Sequence, residues 1–106
     1  MQEEDLMRRG ETLAQNCAGA GVLANQLGMV LAHLTRHRRP EATRQLLAAL
    51  LTSPFARRSK RTRQQLENLE RYVKTALANV SDWRQAAVIV GWAKRLWPVY
   101  KKTTQW

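Results

Sequence analysis

The sequence predicts an all-α fold, a single compact bundle of about five helices over residues 1–106, and three observations support this prediction. Apolar residues recur at steps of three and four along most of the chain, which is the helical period. Alternating runs typical of strands are absent, and the only compact group of β-branched residues, 88–90, lies inside a helical pattern. Gly and Pro residues mark where the helical patterns end.

The first two helices are predicted over residues 2–18 and 22–37. Acidic residues at positions 3–5 complement the positive end of the first helix dipole, and the Gly-Ala-Gly segment at 19–21 ends that helix. The expected buried side chains are Leu6, Leu13 and Cys17 in the first helix and Leu23, Leu27, Val30, Leu31 and Leu34 in the second.

The third helix is predicted over residues 41–51, between Pro40, which suits a first helical turn, and Pro54, which ends it. Four leucines of this helix, Leu46, Leu47, Leu50 and Leu51, are expected to face inward. Residues 53–61 have no apolar period, so they are predicted to form a basic loop, with Thr62 as a possible cap for the next helix.

The fourth helix is predicted over residues 63–80. Its stripe consists of Leu66, Leu69, Val73, Ala76, Leu77 and Val80, with Glu67–Arg71 and Glu70–Lys74 as four-residue ion pairs. Ser81 or Asp82 caps the fifth helix, which runs to about residue 97, where Pro98 should kink or end it.

Positive charge is concentrated in one part of the chain. The formal net charge is +10, and residues 36–63 carry nine basic side chains against one acidic one. A charge that served solubility would be spread more evenly. The segment has two basic parts, 36–44 and 53–63, and arginine, whose planar fork matches phosphate oxygens, dominates both. We therefore predict a nucleic-acid-binding surface formed by Arg36, Arg38, Arg39, Arg44, Arg57, Arg58, Lys60, Arg61 and Arg63; the alternative is a basic surface that is only solvated.

Aromatic residues could stack on unpaired bases, and Phe55 lies inside the predicted basic loop. It is either a stacking side chain or an anchor that pins the loop to the core. Trp83 and Trp97, by contrast, are predicted to be core residues because they share one face of the fifth helix.

That fifth helix is apolar around most of its circumference. Such a helix is either central in its domain or offers a face to another protein. We predict a protein interface at Ile89, Trp92, Leu96 and Tyr100, with a central core helix as the alternative.

Other classes of protein are disfavoured. A single cysteine, Cys17, allows no internal disulfide, and the polar start and the lack of a long apolar run indicate a cytoplasmic protein without a membrane partner. His33 and His37 have the spacing of a zinc pair with Cys17 as a conceivable third ligand, but the neighbouring arginines would repel the ion. Residues 19–24 formally fit a dinucleotide fingerprint, but no strand precedes them. We predict no metal, no cofactor and no enzymatic activity, because neither histidine has an evident nucleophile or carboxylate partner.

The segments QLGMVLAHLTRHRR and GWAKRLWPVYKK give the chain a resemblance to the small subunit of multisubunit CRISPR effector complexes, of the Cascade-like or type III kind. The resemblance covers nearly the whole chain but rests on size, helical plan and these two patterns. It implies a non-catalytic protein, present in several copies, that contacts CRISPR RNA-bound subunits and holds target or displaced strand in antiviral defence. Eight of the nine basic residues, all except Arg44, would then contact the strand, and Trp92, Leu96 and Tyr100 would contact other subunits. The SPFARRSKR segment departs from the family pattern and leaves the subtype open.

Three other interpretations remain open at this stage. One is a free-standing helical DNA-binding protein, either a regulator or an architectural protein. Residues 41–63 could supply two helices for it, but a helix-turn-helix needs a turn of three or four residues and this connection has about nine. The second is an RNA- or ribosome-associated accessory protein, whose charge would look the same. The third is a pure protein adaptor, for which charge reversal within residues 57–63 would leave the function intact. The sequence does not distinguish DNA from RNA, because their phosphates are alike.

Overall fold

Six helices make up the computed structural model, which describes residues 2–104, with the side chains of Phe55, Thr103 and Thr104 outside that description. The helices are α1 (Glu3–Gly19), α2 (Ala24–His37), α3 (Glu41–Leu51), α4 (Pro54–Arg58), α5 (Lys60–Ala76) and α6 (Trp83–Thr104). No strand occurs among the described residues, so the all-α prediction is confirmed.

The break between α1 and α2 occurs where the Gly-Ala-Gly segment predicted it. Gly21 has a φ of +77°, a conformation that costs glycine nothing, and it turns the chain out of α1. The Val22 N–H then donates to the Cys17 carbonyl at 2.9 Å, which satisfies one of the carbonyls left free at the helix end. Leu23 was predicted to belong to the buried stripe of α2. It is 42% exposed, because α2 begins only at the next residue and Leu23 lies outside the helix.

The segment predicted as a basic loop contains a helix. α4 (Pro54–Arg58) has five residues, too few to show an apolar period, and its Ala56 is buried in the core. Ser59, rather than Thr62, caps α5: its hydroxyl accepts from the Thr62 N–H at 3.2 Å. The prediction of an irregular loop over residues 53–61 was therefore wrong.

α6 continues past Pro98 to Thr104, although the proline was expected to kink or end it near residue 97. Tertiary contacts hold the last turns in place. Tyr100 packs partly against the core, and its hydroxyl donates to the Glu11 carboxylate on α1 at 2.7 Å. Packing of this kind offsets the local cost of a proline inside a helix, which is about 3 kcal/mol. At the other end, the Asp82 carboxylate caps the helix by accepting from the Arg84 N–H at 2.9 Å, as predicted.

α6 is the central helix of the bundle, flanked by α1 and α2. Ala86, Ile89, Val90 and Ala93 are fully buried, and together they face both neighbours. The alternative of a core helix therefore holds for this one face of α6. Ile89 in particular was expected at a protein interface, but the chain's own core encloses its side chain.

α1 approaches α6 closely at Gly10. A Cβ placed on Gly10 would lie 2.7 Å from Trp92 Cβ and 2.8 Å from the Ile89 carbonyl oxygen, distances that real Cβ atoms do not reach. Only glycine fits this crossing. Arg9, the preceding residue, ties α1 to the end of α5, since its guanidinium donates to the carbonyls of Ala76 at 3.1 Å and Ala78 at 2.6 Å.

The bundle is flat, with extents of 41 × 36 × 19 Å and a radius of gyration of 13.1 Å. That radius matches the roughly 13 Å expected for a compact chain of this length. Cys17 is enclosed in the core, and burial raises the pKa of its thiol to about 12, so the thiolate is suppressed. Of the helices in the described part of the chain, none combines the length and the apolar character that crossing a membrane requires.

Candidate nucleic-acid interface

All nine basic residues predicted to bind nucleic acid lie on the surface. They form two groups. The first basic cluster contains Arg36, Arg38, Arg39 and Arg44, at the end of α2 and the start of α3. The second basic cluster contains Arg57, Arg58, Lys60, Arg61 and Arg63, at the end of α4 and the start of α5.

α3 separates the two clusters. Its 11 residues span about 16 Å at the rise of an α-helix. The start of α3 and the end of α5 line one shallow groove, to which α3 contributes Arg44 and α5 contributes Lys74. The two helices therefore run in opposite directions. The clusters therefore lie at opposite ends of this helix pair. About five phosphates of one strand fit into 16 Å at the rise of B-form DNA.

Few carboxylates neutralise these cations. Arg63 Nε forms an ion pair with Glu67 Oε1 at 3.1 Å, and both groups are exposed. The predicted pair Glu67–Arg71 does not form, because Glu67 pairs with Arg63 instead and Arg71 lies over the Tyr72 ring. The predicted pair Glu70–Lys74 does not form either. Eight of the nine candidate side chains thus keep their charge unpaired within the described part of the chain.

Two local features position the second basic cluster. Ala56 inserts into the core and fixes α4, while the Ser59 cap sets the direction in which α5 leaves. Arg57, Arg58 and Lys60 consequently follow one another on the surface of two helices joined by a single residue. Ala56 supplies the anchor that was one of the two roles considered for Phe55; the side chain of Phe55 itself lies outside the described residues.

The first basic cluster includes an aromatic contact that the sequence did not indicate. Arg38 ends α2 in the left-handed conformation, with a φ of 55°, and its guanidinium carbon lies 5.9 Å from the centre of the Trp83 ring. Arg84 lies 5.7 Å from the same ring. Trp83 was expected to be a core residue, but it is half-buried. Trp97, also expected in the core, packs against it and donates its indole N–H to the Val22 carbonyl at 2.7 Å.

Trp83 and Arg84 were not among the predicted binding residues, although they lie beside Arg38 of the first basic cluster. Their helical positions placed Trp83 on an apolar face and Arg84 on a narrow polar strip. The available signal was their position at the very start of a helix, where the neighbouring turn covers a side chain less completely. Nothing in the sequence marks Arg38 for the left-handed conformation, which glycine and asparagine adopt more often.

The rings of His33 and His37 lie beside the first basic cluster, with their centres 4.2 Å apart and their planes tilted by 48°. Burial lowers the pKa of His33, and the charges of His37 and Arg36 lower it further. Cys17, the conceivable third zinc ligand, is enclosed in the core. No three metal-binding side chains come together among residues 2–104.

The residues predicted to contact other proteins lie in different environments. Trp92 is half-buried and lines a groove of about 700 Å³ between α1, α2 and α6. Leu96 and Tyr100 are partly buried against the core, and the hydrogen bond to Glu11 raises the pKa of the Tyr100 hydroxyl. This apolar groove is lined by Glu3, Met7, Leu31, Val88, Gly91, Trp92, Lys94, Arg95 and Pro98.

Two exposed apolar side chains lie at the apolar groove. Met7 is 39% exposed and Val88 is 45% exposed, and they approach it from α1 and α6 respectively. Arg95 lies over the Trp92 ring at 5.6 Å and gives the rim a positive charge. An apolar centre with a charged rim is typical of a protein-binding surface.

Comparison with known proteins identifies no relative: no family model, no curated protein and no solved structure matches this chain.

Proposed function

We propose that this chain is a non-catalytic nucleic-acid-binding protein that holds a strand through its phosphate backbone. The observation that carries the proposal is the exposure of all nine basic side chains of residues 36–63, eight of them without a carboxylate partner among the described residues. Unpaired surface cations at this density release counterions from a polyanion when they bind it, which is the main source of sequence-independent affinity.

The size and helical plan of the chain, together with the resemblance given above, support a more specific form of the proposal. The chain would be a small subunit of a CRISPR RNA-guided effector complex in the cytoplasm. There, several copies would stabilise the assembly and hold the target or displaced strand. The apolar groove supports a role within an assembly, because Met7, Val88 and Trp92 offer an apolar surface to another subunit.

One observation disfavours a helix-turn-helix regulator built from α3 and α5. Between α3 and α5 the chain forms α4, flanked by two residues on one side and one on the other. A helix-turn-helix needs a turn of three or four residues at this position.

Purification of the tagged protein from its native host tests the specific proposal. We expect short RNAs with shared repeat-derived ends to co-purify, together with other subunits, because the complex would form on CRISPR RNA. Sequencing of the bound RNA and identification of the bound proteins are the measurements. Ribosomal RNA, or no RNA at all, would contradict the CRISPR assignment and leave general polyanion binding as the function.

A Val88→Arg variant is the control for this experiment. Val88 is exposed in the apolar groove, so the substitution places a charge on the proposed subunit contact without disturbing the core. The variant should lose the co-purified proteins while the isolated protein still binds nucleic acid. If the variant retains the same proteins as the native chain, the groove is not the contact.

A further inference from the structure

The ring of Trp83 is held differently from that of Trp97, the other tryptophan on the same face of α6. Trp97 packs against the core and has a hydrogen-bond acceptor for its indole N–H. Trp83 is half-buried, lies within 6 Å of the guanidinium groups of both Arg38 and Arg84, and has no acceptor for its indole N–H among the described residues. Its surroundings are therefore cationic and partly open to solvent.

These surroundings match what an unpaired base and its phosphates require. Proteins that bind single strands combine aromatic rings, on which bases stack, with cations that follow the backbone. A guanidinium group on an exposed ring is attracted only weakly, so a base can displace it. The displaced arginine then keeps its charge close to the phosphate of the same nucleotide.

The position of Trp83 places it next to the proposed backbone contacts. Arg38 belongs to the first basic cluster and follows directly on α2, so the ring adjoins side chains that are proposed to bind phosphate. Arg84 adds a cation from α6 that the nine predicted residues did not include. Ring and cations thus come from two helices that meet at one end of the bundle.

We propose that Trp83 is a stacking site for an unpaired base and that Arg38 and Arg84 contact the phosphates beside it. The inference rests on the proposed function and specifies its ligand: a single strand, or a single-stranded region, in preference to a duplex. In a duplex the bases are stacked on each other, so Trp83 gains nothing from them.

Two substitutions of Trp83 test this inference. Trp83→Leu keeps an apolar side chain but removes the aromatic face, and Trp83→Phe keeps a ring. The probes are a deoxyadenylate single strand and a mixed-sequence duplex of the same length. We expect Trp83→Leu to weaken single-strand binding by about 5- to 150-fold, with Trp83→Phe close to the native chain. Duplex binding should change little in either variant, since it depends on phosphate contacts.

Fluorescence supplies a second measurement that a purely structural role would not affect. The single strand should quench part of the indole emission of the native chain, and Trp83→Phe should lose that quenching while it retains affinity. This measurement stays decisive if Trp83→Leu proves unstable by circular dichroism, because the conservative variant keeps the ring.

The outcomes separate the two proposals. If the native chain binds neither probe, the proposed function fails and the stacking site fails with it. If the native chain binds both probes and Trp83→Leu binds the single strand as tightly as the native chain does, only the stacking site is overturned. Equal losses for single strand and duplex would also overturn it, because they would indicate a change of shape or charge.

Discussion

Reversal of two charges in the second basic cluster, Arg57→Glu with Arg61→Glu, is expected to weaken nucleic-acid binding by about 100-fold. Each arginine that contacts a phosphate contributes a charge-assisted hydrogen bond, and each glutamate adds repulsion. Both positions are exposed, and neither has an ion-pair partner in the described part of the chain, so the fold should be preserved. Titration of a labelled oligonucleotide measures the change.

The expected loss is uniform across sequences. Phosphate contacts position a protein on a strand but carry little sequence information. Single strands and duplexes of random sequence should therefore lose affinity alike. A variant that keeps its bulk affinity but no longer discriminates between sequences would contradict the backbone-binding account.

Arg8→Glu with Lys102→Glu is the matched control for the charge reversal. It changes the net charge by the same amount, but at positions outside both basic clusters. Lys102 lies near the far end of α6, about 28 Å along the helix from Trp83. Arg8 lies on α1, beside a groove that faces the end of α5. If this control weakens binding as strongly as the reversal at Arg57 and Arg61, the interaction depends on net charge and not on the clusters.

The second large effect is expected at the crossing of α1 and α6, where Gly10→Val should lower the free energy of unfolding by about 3 kcal/mol. A Cβ at Gly10 already meets Trp92 Cβ and the Ile89 carbonyl below 3 Å, and both belong to the central helix. Neither neighbour is a flexible side-chain end, so the two helices must move apart. Overpacking of this kind costs about 1–3 kcal/mol and occasionally more.

Urea unfolding, followed by circular dichroism, measures this loss, with Gly19→Val as the control. Gly19 is the last residue of α1, and a Cβ there would meet nothing within 4 Å. The control should therefore stay within about 0.5 kcal/mol of the native chain. Gly10→Val with native stability would show that α1 does not pack against α6 as described.

Much of the fold could be predicted because long helices leave a clear apolar period. The stripes of α1 and α5 are buried nearly as expected, with Leu13, Leu69 and Val73 in the core. The five-residue helix α4 could not be found in this way, since it completes little more than one turn. The extension of α6 beyond Pro98 depends on Tyr100 and Glu11, which are far apart in the sequence.

The candidate site shows a similar division. The concentration of charge in one part of the chain indicated the nine basic residues, and all of them are exposed. The pattern could not tell which faces of α6 are covered by neighbours, so Ile89 was assigned to an interface although it is enclosed. The contact between Arg38 and Trp83 depends on a left-handed backbone conformation and on the packing of helices that are far apart in the sequence. Neither feature produces an apolar period in the sequence.

The salt dependence of binding tests the central claim most directly. If about five of the basic side chains engage phosphates, a plot of the logarithm of the association constant against the logarithm of the salt concentration should have a slope between about −3.5 and −4.5. The first value applies to a single strand and the second to a duplex. A slope shallower than about −1 would mean that at most one phosphate is neutralised, and it would contradict backbone binding through residues 36–63.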